Sequence, residues 1–146
     1  MSKIVVQNPI VHTPAITTYE IAPDILFATL PTGSALMTIL DSRYYYTDLE
    51  GWGKILGDLM FKSSLYKADK FDCENYAMKA FNLCAERHGL NTLSFVIGKS
   101  NLGRHGYNMF YHGFGWMLFE PNDGFSYAGS PFDIGEYGYF PEMVLL

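Results

Sequence analysis

A chain of 146 residues with 49% hydrophobic and 17% charged residues can form a hydrophobic core, which excludes a disordered protein. The net charge is -5, with 10 basic and 15 acidic residues, and no cluster of lysine or arginine is present. This acidic balance argues against a nucleic-acid partner, because phosphate binding requires a basic surface. We therefore predict a single domain over residues 1–146.

The sequence lacks the signals of a membrane or secreted protein. No apolar run approaches the ~20 residues that a transmembrane helix needs. The first residues also lack the apolar segment and the small-residue cleavage site of a secretory signal. We expect a cytoplasmic protein with no membrane partner.

The first half of the chain contains extended segments and one amphipathic helix. Residues 3–6 and 16–21 are rich in β-branched side chains, which predicts strands. Turn residues come next, and Ser34 is placed to cap a short helix over residues 34–40. Apolar residues then recur at the i, i+3, i+4, i+7, i+8 spacing of a helix over residues 52–60.

A second helix is predicted over residues 73–88. Asp72 is a suitable N-cap, Arg87 and His88 lie in the last turn, and Gly89 is a common residue just after a helix end. Both cysteines of the chain lie in this helix, 11 positions apart. At a helical rise of about 1.5 Å per residue, their Cα atoms are ~16 Å apart, which is too far for a disulfide. We therefore expect two free thiols.

The sequence after Gly89 indicates β structure. Residues 92–98 form a strand candidate. Residues 106–111 and 115–119 are predicted to form two strands of a hairpin, joined by a glycine-containing turn. From Pro121 onward, glycine, proline and aromatic residues predict loops and short strands that cover the core.

Three residues in these elements suggest a thiol-based site. A cysteine at a helix N-terminus is favoured as a thiolate by the helix dipole, and the free backbone N–H groups there can bind an oxyanion. Cys73 has this position. His105 begins one hairpin strand and Glu120 ends the other, so the two side chains are predicted to meet across the hairpin. We predict Cys73 as nucleophile, His105 as base and Glu120 as the group that orients the imidazole.

Three segments resemble a known family. They are Asp-Cys-Glu-Asn-Tyr-Ala at residues 72–77, His-Gly-Tyr-Asn at 105–108 and Gly-Trp-Met-Leu-Phe-Glu-Pro at 115–121. They are similar to motifs of the transglutaminase-like members of the papain-like cysteine-enzyme superfamily. The resemblance implies an α+β fold in which a catalytic helix packs on an antiparallel β-sheet, with residues 1–50 as an N-terminal extension or family-divergent part. Glycine and tyrosine stand after the histidine where Ala-Trp is usual, and glutamate replaces the commoner aspartate.

The resemblance also implies an activity. It is thiol-dependent acyl transfer, or hydrolysis of an amide, isopeptide or peptide bond, through a thioester on Cys73. The enzyme would be a cysteine peptidase, an amidase or a transglutaminase-like acyltransferase, with no cofactor and no metal. The expected partner is a peptide or protein substrate, with a cell-wall peptide as one candidate. Trp52, Tyr107 and Trp116 are the predicted substrate-binding residues.

Several alternatives remain open at the level of sequence. The chain could be a non-catalytic structural or protein-interaction module that keeps the fold, or a circularly rearranged cell-wall amidase with another third residue. His112 is a reserve base and Asp123 a reserve orienting acid. A metal site on the cysteine, the histidines and the glutamate has no standard zinc spacing. Trp52, Tyr66 and Asn75 are candidate oxyanion donors.

Overall fold

The computed structural model describes residues 13–146, in which two sheets and three α-helices form the fold. The larger sheet has five strands in the order β2-β7-β4-β5-β6, and β1 and β3 form a separate antiparallel pair. The strands are β1 (Tyr19–Ile21), β2 (Ala35–Thr38), β3 (Tyr44–Tyr46), β4 (Leu93–Ser100), β5 (Gly103–Tyr111), β6 (Trp116–Phe119) and β7 (Phe140–Leu145). The α-helices are α1 (Pro23–Ala28), α2 (Leu49–Ile55) and α3 (Cys73–His88).

The predicted helix after Asp72 is confirmed as α3. Asp72 is its N-cap, and the Asp72 amide donates to Asn75 Oδ1 at 3.1 Å. Gly89 ends the helix in the left-handed conformation, with φ of 66°. Ala77, Ala80 and Cys84 are fully buried on its inner side, where small side chains allow the helix to lie close to the sheet.

The predicted hairpin is also confirmed. β5 pairs with β6 and with β4, both antiparallel. Alternate residues of β5 enter two different hydrophobic clusters, as expected for side chains that point to opposite faces of a strand. Tyr107 and Met109 belong to one cluster, and Phe110 joins Ala80 and Cys84 of α3 in the other. The helix and the hairpin therefore form the support for the site.

The structure corrects the predicted fold class and the course of residues 34–40. The five-stranded sheet is mixed rather than antiparallel, because β2 pairs with β7 in parallel. Residues 34–40 contain this strand instead of a helix. The Ser34 hydroxyl donates to the Pro31 carbonyl in a turn, at 2.6 Å, and does not cap a helix. Part of the predicted N-terminal extension is thus an edge strand of the main sheet.

The last third of the chain is more regular than predicted. β7 lies inside the sheet, between β2 and β4, whereas this segment was expected to contain loops and short strands over the core. The predicted amphipathic helix begins earlier, at Leu49, and continues as a 3-10 helix over Leu56–Leu59. The predicted strand at residues 3–6 lies outside the described residues. None of the helices in residues 13–146 has the length and apolarity needed to cross a bilayer.

Candidate functional site

Cys73 is the first residue of α3 and is only partly buried. Its Sγ accepts a hydrogen bond from the Gly106 backbone amide at 3.4 Å, and the thiol donates to Glu74 Oε2 at 3.2 Å. The helix start and the β5 backbone thus approach the sulfur from two sides. Cys84, by contrast, is fully buried, and burial raises the pKa of its thiol.

Gly106 makes the close approach of α3 to β5 possible. A Cβ atom built on Gly106 would lie 2.9 Å from the Glu74 Cα and 3.2 Å from the Cys73 carbonyl carbon. These are backbone atoms of the first helical turn, which cannot move aside as a flexible side chain would. The glycine that departs from the Ala-Trp pattern is therefore a steric requirement of this helix–strand contact.

His105 and Glu120 form a buried pair next to the cysteine. The Nε2 atom of His105 lies 2.7 Å from Glu120 Oε2, and the two residues are 8% and 1% exposed. Because Nε2 is engaged by the carboxylate, Nδ1 is the ring nitrogen left for the thiol. The structure thus brings together the three residues predicted from the sequence, whose catalytic roles remain predictions.

The contact between His105 and Glu120 is diagonal rather than directly across the hairpin. Asn108 is opposite Phe119, so continuing this register sets Glu120 beside Tyr107. His105 is then one diagonal step away, on the same face of the sheet, within reach of a long side chain. The longer side chain of glutamate, relative to the commoner aspartate, suits this diagonal contact.

The electrostatic environment favours a charged imidazole. Burial lowers the pKa of His105, but hydrogen bonds to Cys73 and Glu120 and the charge of the carboxylate outweigh this effect. Together they raise the pKa from 6.5 to about 9. His105 is therefore mainly protonated at neutral pH.

Two carboxyl groups flank the thiol on the helix side. A hydrogen bond with Glu74, followed by burial, raises the pKa of Asp72. The pKa of Glu74 is lowered, first by its own backbone amide and then by hydrogen bonds with Cys73 and Asp72. Glu74 is thus a carboxylate that accepts the hydrogen bond of the Cys73 thiol, while the protonated His105 is a donor.

An open cleft of about 210 Å³ leads to the sulfur. It is lined by Cys73, Glu74, Ile97, Arg104, His105 and Gly106. It therefore presents one guanidinium, one carboxylate and one apolar side chain around the thiol and the imidazole. These polar groups can orient a small molecule or a short segment of a larger one.

The predicted substrate-binding residues are buried instead of lining this cleft. Trp52 and Tyr107 are 0% exposed and Trp116 is 8% exposed. The Trp52 indole donates to the Tyr111 carbonyl and the Trp116 indole donates to the Thr29 hydroxyl. Their binding role remains a prediction, and their burial favours a packing role.

The reserve residues lie elsewhere. His112 follows the opposite end of β5 and lines a different cleft, and burial lowers its pKa. Asp123 accepts a hydrogen bond from the Ser63 amide in a loop contact. Within residues 13–146, no group of three or more His, Cys, Asp or Glu side chains is arranged to hold a metal ion.

The oxyanion donors considered in the sequence have other partners or positions. The Trp52 indole N–H donates to the Tyr111 carbonyl, and Tyr66 is 52% exposed. The Asn75 side chain is held at the helix start by its Oδ1, which accepts from the Asp72 backbone N–H. Sequence reasoning missed Arg104 in the cleft and Tyr139 behind Glu120. Arg104 directly precedes His105 in the sequence, whereas no local pattern connects Tyr139 with the site.

Comparisons with known proteins give a fold relationship. No family model and no curated protein matches the sequence. Among solved structures, a complex of PSL1a with E64 matches with a TM-score of 0.59 and 18% identity. A Polyporus squamosus lectin bound to the human-type influenza-binding epitope Neu5Aca2-6Galb1-4GlcNAc matches with a TM-score of 0.59 and 17% identity. Each alignment covers 87% of this chain and only 51% and 49% of the respective neighbour, about half its length.

These findings correct the family assignment made from sequence motifs. The similar structures include one described as a lectin, and no family model supports a transglutaminase-like or papain-like cysteine enzyme. The cysteine-peptidase or acyltransferase activity that was predicted with that family is wrong for the same reason. What the comparisons establish is that this chain shares its fold with part of these larger solved structures.

Proposed function

We propose that the chain is a ligand-binding domain whose cleft beside Cys73 holds a small polar ligand next to a reactive thiol. The observation that carries this proposal is the buried hydrogen bond of 2.7 Å between His105 and Glu120, directly beside the first residue of α3. A histidine and a carboxylate are rarely buried as a pair unless their interaction offsets the desolvation of both groups. Here the pair supplies a charged imidazole to the thiol.

The roles of the three residues follow from their positions. Cys73 contacts the ligand, and the protonated His105 places a positive charge beside its sulfur. Glu120 holds the imidazole in the orientation that leaves Nδ1 for the sulfur. With an electrophilic ligand, a bond forms between Sγ and carbon while one existing bond of that carbon breaks, and the displaced atom keeps the electron pair.

The cleft also suggests the class of ligand. The Arg104 guanidinium provides N–H donors that suit a carboxylate, and Ile97 provides an apolar contact. A small molecule with an acidic group beside an electrophilic carbon fits this arrangement. E64 is an informative first ligand, because it is present in the described complex of PSL1a.

Alkylation rates test this proposal. We expect iodoacetamide to modify Cys73 rapidly at pH 6, with formation of a sulfur–carbon bond and release of iodide. His105→Ala should slow this reaction at least about tenfold, because the charged imidazole is lost. Peptide mapping by mass spectrometry identifies the modified cysteine, and the same assay with E64 tests for attachment of a second ligand.

Cys84 is the internal control. It is buried, so it should react only after the protein is denatured. Glu86→Gln, a change at an exposed carboxylate, should leave the rate at Cys73 unchanged. Equal slow labelling of both cysteines in the native protein, or a rate unaffected by His105→Ala, would show that no activated thiol is present.

Glycan binding at a second cleft is the other candidate function. A cleft of about 290 Å³ is lined by Tyr19, Tyr46, Asp48, His112, Gly113 and Phe114. The Phe114 side chain is 99% exposed, and the rings of Tyr19 and Tyr46 are stacked with centroids 5.3 Å apart. Exposed aromatic rings beside a carboxylate and an imidazole suit the apolar faces and hydroxyls of a sugar. This candidate is also favoured by the glycan named in the lectin structure.

Calorimetric titration with that trisaccharide tests the second candidate. We expect saturable binding that is weakened at least about fivefold by Phe114→Ala, because one stacking surface is removed. Cys73→Ser should bind equally well, since Cys73 lines the other cleft. Absence of binding at millimolar glycan, or equal binding by Phe114→Ala, would exclude this cleft as the glycan site.

A further inference from the structure

The Glu120 carboxylate has hydrogen-bond partners in addition to His105. It is 1% exposed, and its Oε2 atom also accepts a hydrogen bond from the Tyr139 hydroxyl at 3.0 Å. Its Oε1 atom accepts a hydrogen bond from the Asn122 backbone N–H at 3.3 Å. Each oxygen of this buried carboxylate therefore has a donor, which limits its rotation about the terminal bond of the side chain.

Tyr139 is in contact with both members of the ion pair. It is 0% exposed, and its ring packs edge-on against the His105 imidazole, with centroids 5.7 Å apart and planes at 89°. Burial, and then the charge of Glu120, raise the pKa of Tyr139, so its hydroxyl keeps its proton and remains a donor. This single proton is directed at Glu120.

Tyr127 completes the arrangement. Its hydroxyl lies 2.9 Å from the hydroxyl of Tyr139, where either oxygen can act as the donor. Because Tyr139 uses its proton for Glu120, Tyr127 must donate to Tyr139. The hydrogen bonds therefore run in one direction, from Tyr127 through Tyr139 to Glu120.

We infer that Tyr139 is a positioning residue that holds the Glu120 carboxylate towards His105, with Tyr127 fixing the direction of the Tyr139 hydroxyl. This inference rests on the function proposed for the Cys73 cleft. Neither tyrosine lines that cleft, so both act through the carboxylate and not on the ligand. Tyr139 reaches the site because it directly precedes β7, a strand inside the main sheet.

Tyr139→Phe tests the inference, since it removes the hydroxyl and keeps the ring against His105. When the carboxylate is less well oriented, it offsets less of the decrease that burial causes in the pKa of His105. We expect the NMR titration midpoint of His105 to fall by about one pH unit. Alkylation of Cys73 at pH 6 should change little, because the imidazole stays mainly protonated at that pH in both proteins.

Tyr127→Phe is the matched control, because it removes the next hydroxyl and leaves the bond to Glu120 in place. A fall of the His105 midpoint in Tyr127→Phe that is measurable but smaller than the fall in Tyr139→Phe supports the inference. An unchanged midpoint in Tyr139→Phe overturns it, even if thermal stability decreases. If Tyr139→Phe does not fold, Tyr127→Phe decides alone, and an unchanged midpoint in that variant overturns the inference.

The titration also separates this inference from the proposed function. If native Cys73 reacts no faster than an ordinary thiol, the proposed function fails. The His105 midpoint still reports whether Tyr139 orients Glu120, because it is measured on the imidazole without any ligand. A shifted midpoint with a slow thiol therefore supports the positioning role alone.

Discussion

Replacement of Glu120 by glutamine should break the buried ion pair with His105 and destabilise the protein. The substitution keeps the shape of the side chain and removes the charge that offsets burial of His105. Breaking a buried pair by removing one partner costs about 3 kcal/mol or more, because the other group is left uncompensated. We expect a loss of this size in the free energy of unfolding at pH 6, measured by urea denaturation.

The loss should depend on pH in a defined direction. The folded-state pKa of His105, about 9, lies above its ordinary value of 6.5. Its contribution to stability is therefore complete below pH 6.5 and is lost as the pH rises through about 9. The stability difference between the native protein and Glu120→Gln should narrow over this interval.

Labelling provides the functional measurement for the same variant. We expect iodoacetamide to modify Cys73 at least about tenfold more slowly at pH 6 in Glu120→Gln. Glu86→Gln is the control for a change of net charge, since Glu86 is exposed on α3. A stability difference that is constant from pH 6 to pH 9 would contradict the ion pair inferred between His105 and Glu120.

Replacement of Gly106 by alanine should displace the start of α3. The added Cβ would meet the backbone of Glu74 at 2.9 Å, so the helix must move away from β5. Overpacking of this kind costs about 1–3 kcal/mol. We expect a loss of stability in this range, and fast alkylation of Cys73 should disappear because the Gly106 amide no longer reaches the sulfur.

Gly53→Ala is the control for this prediction. Gly53 lies in α2 and a Cβ there has no neighbour within 4 Å, so the change should be neutral or stabilising. It should also leave labelling of Cys73 unchanged. Full stability and native labelling of Gly106→Ala would mean that the two backbones are not in close contact.

The parts of the fold that could be predicted have local signals. α3 is marked by Asp72 before it and Gly89 after it, and the β5–β6 hairpin by alternating side chains around a glycine turn. The candidate site residues could be picked out for the same reason, since Cys73 begins α3, His105 lies near the start of β5 and Glu120 directly follows β6. The assignment to the transglutaminase-like family rested on three short motifs, and the comparisons with solved structures and family models contradict it.

The missed features depend on contacts between distant segments. The pairing of β2 with β7 joins residues near the two ends of the described chain, and neither segment alone shows that it has a partner. Tyr139 joins Glu120 only because β7 is inserted into the sheet. The diagonal register of His105 and Glu120 depends on the geometry of the turn after Tyr111, which the sequence pattern does not determine.

The position of β7 has a consequence for how the protein folds. It is the last strand of the sheet to be synthesised, yet it lies between β2 and β4. The five-stranded sheet is complete only after β7 has inserted, because β2 joins the sheet through β7. Contacts between segments as distant in sequence as β2 and β7 form slowly. We therefore expect nascent chains that lack β7 to hold the cysteine, the histidine and the glutamate on an unfinished scaffold. The thiol would then reach its full reactivity only after β7 has inserted, because Tyr139 directly precedes that strand and donates to Glu120.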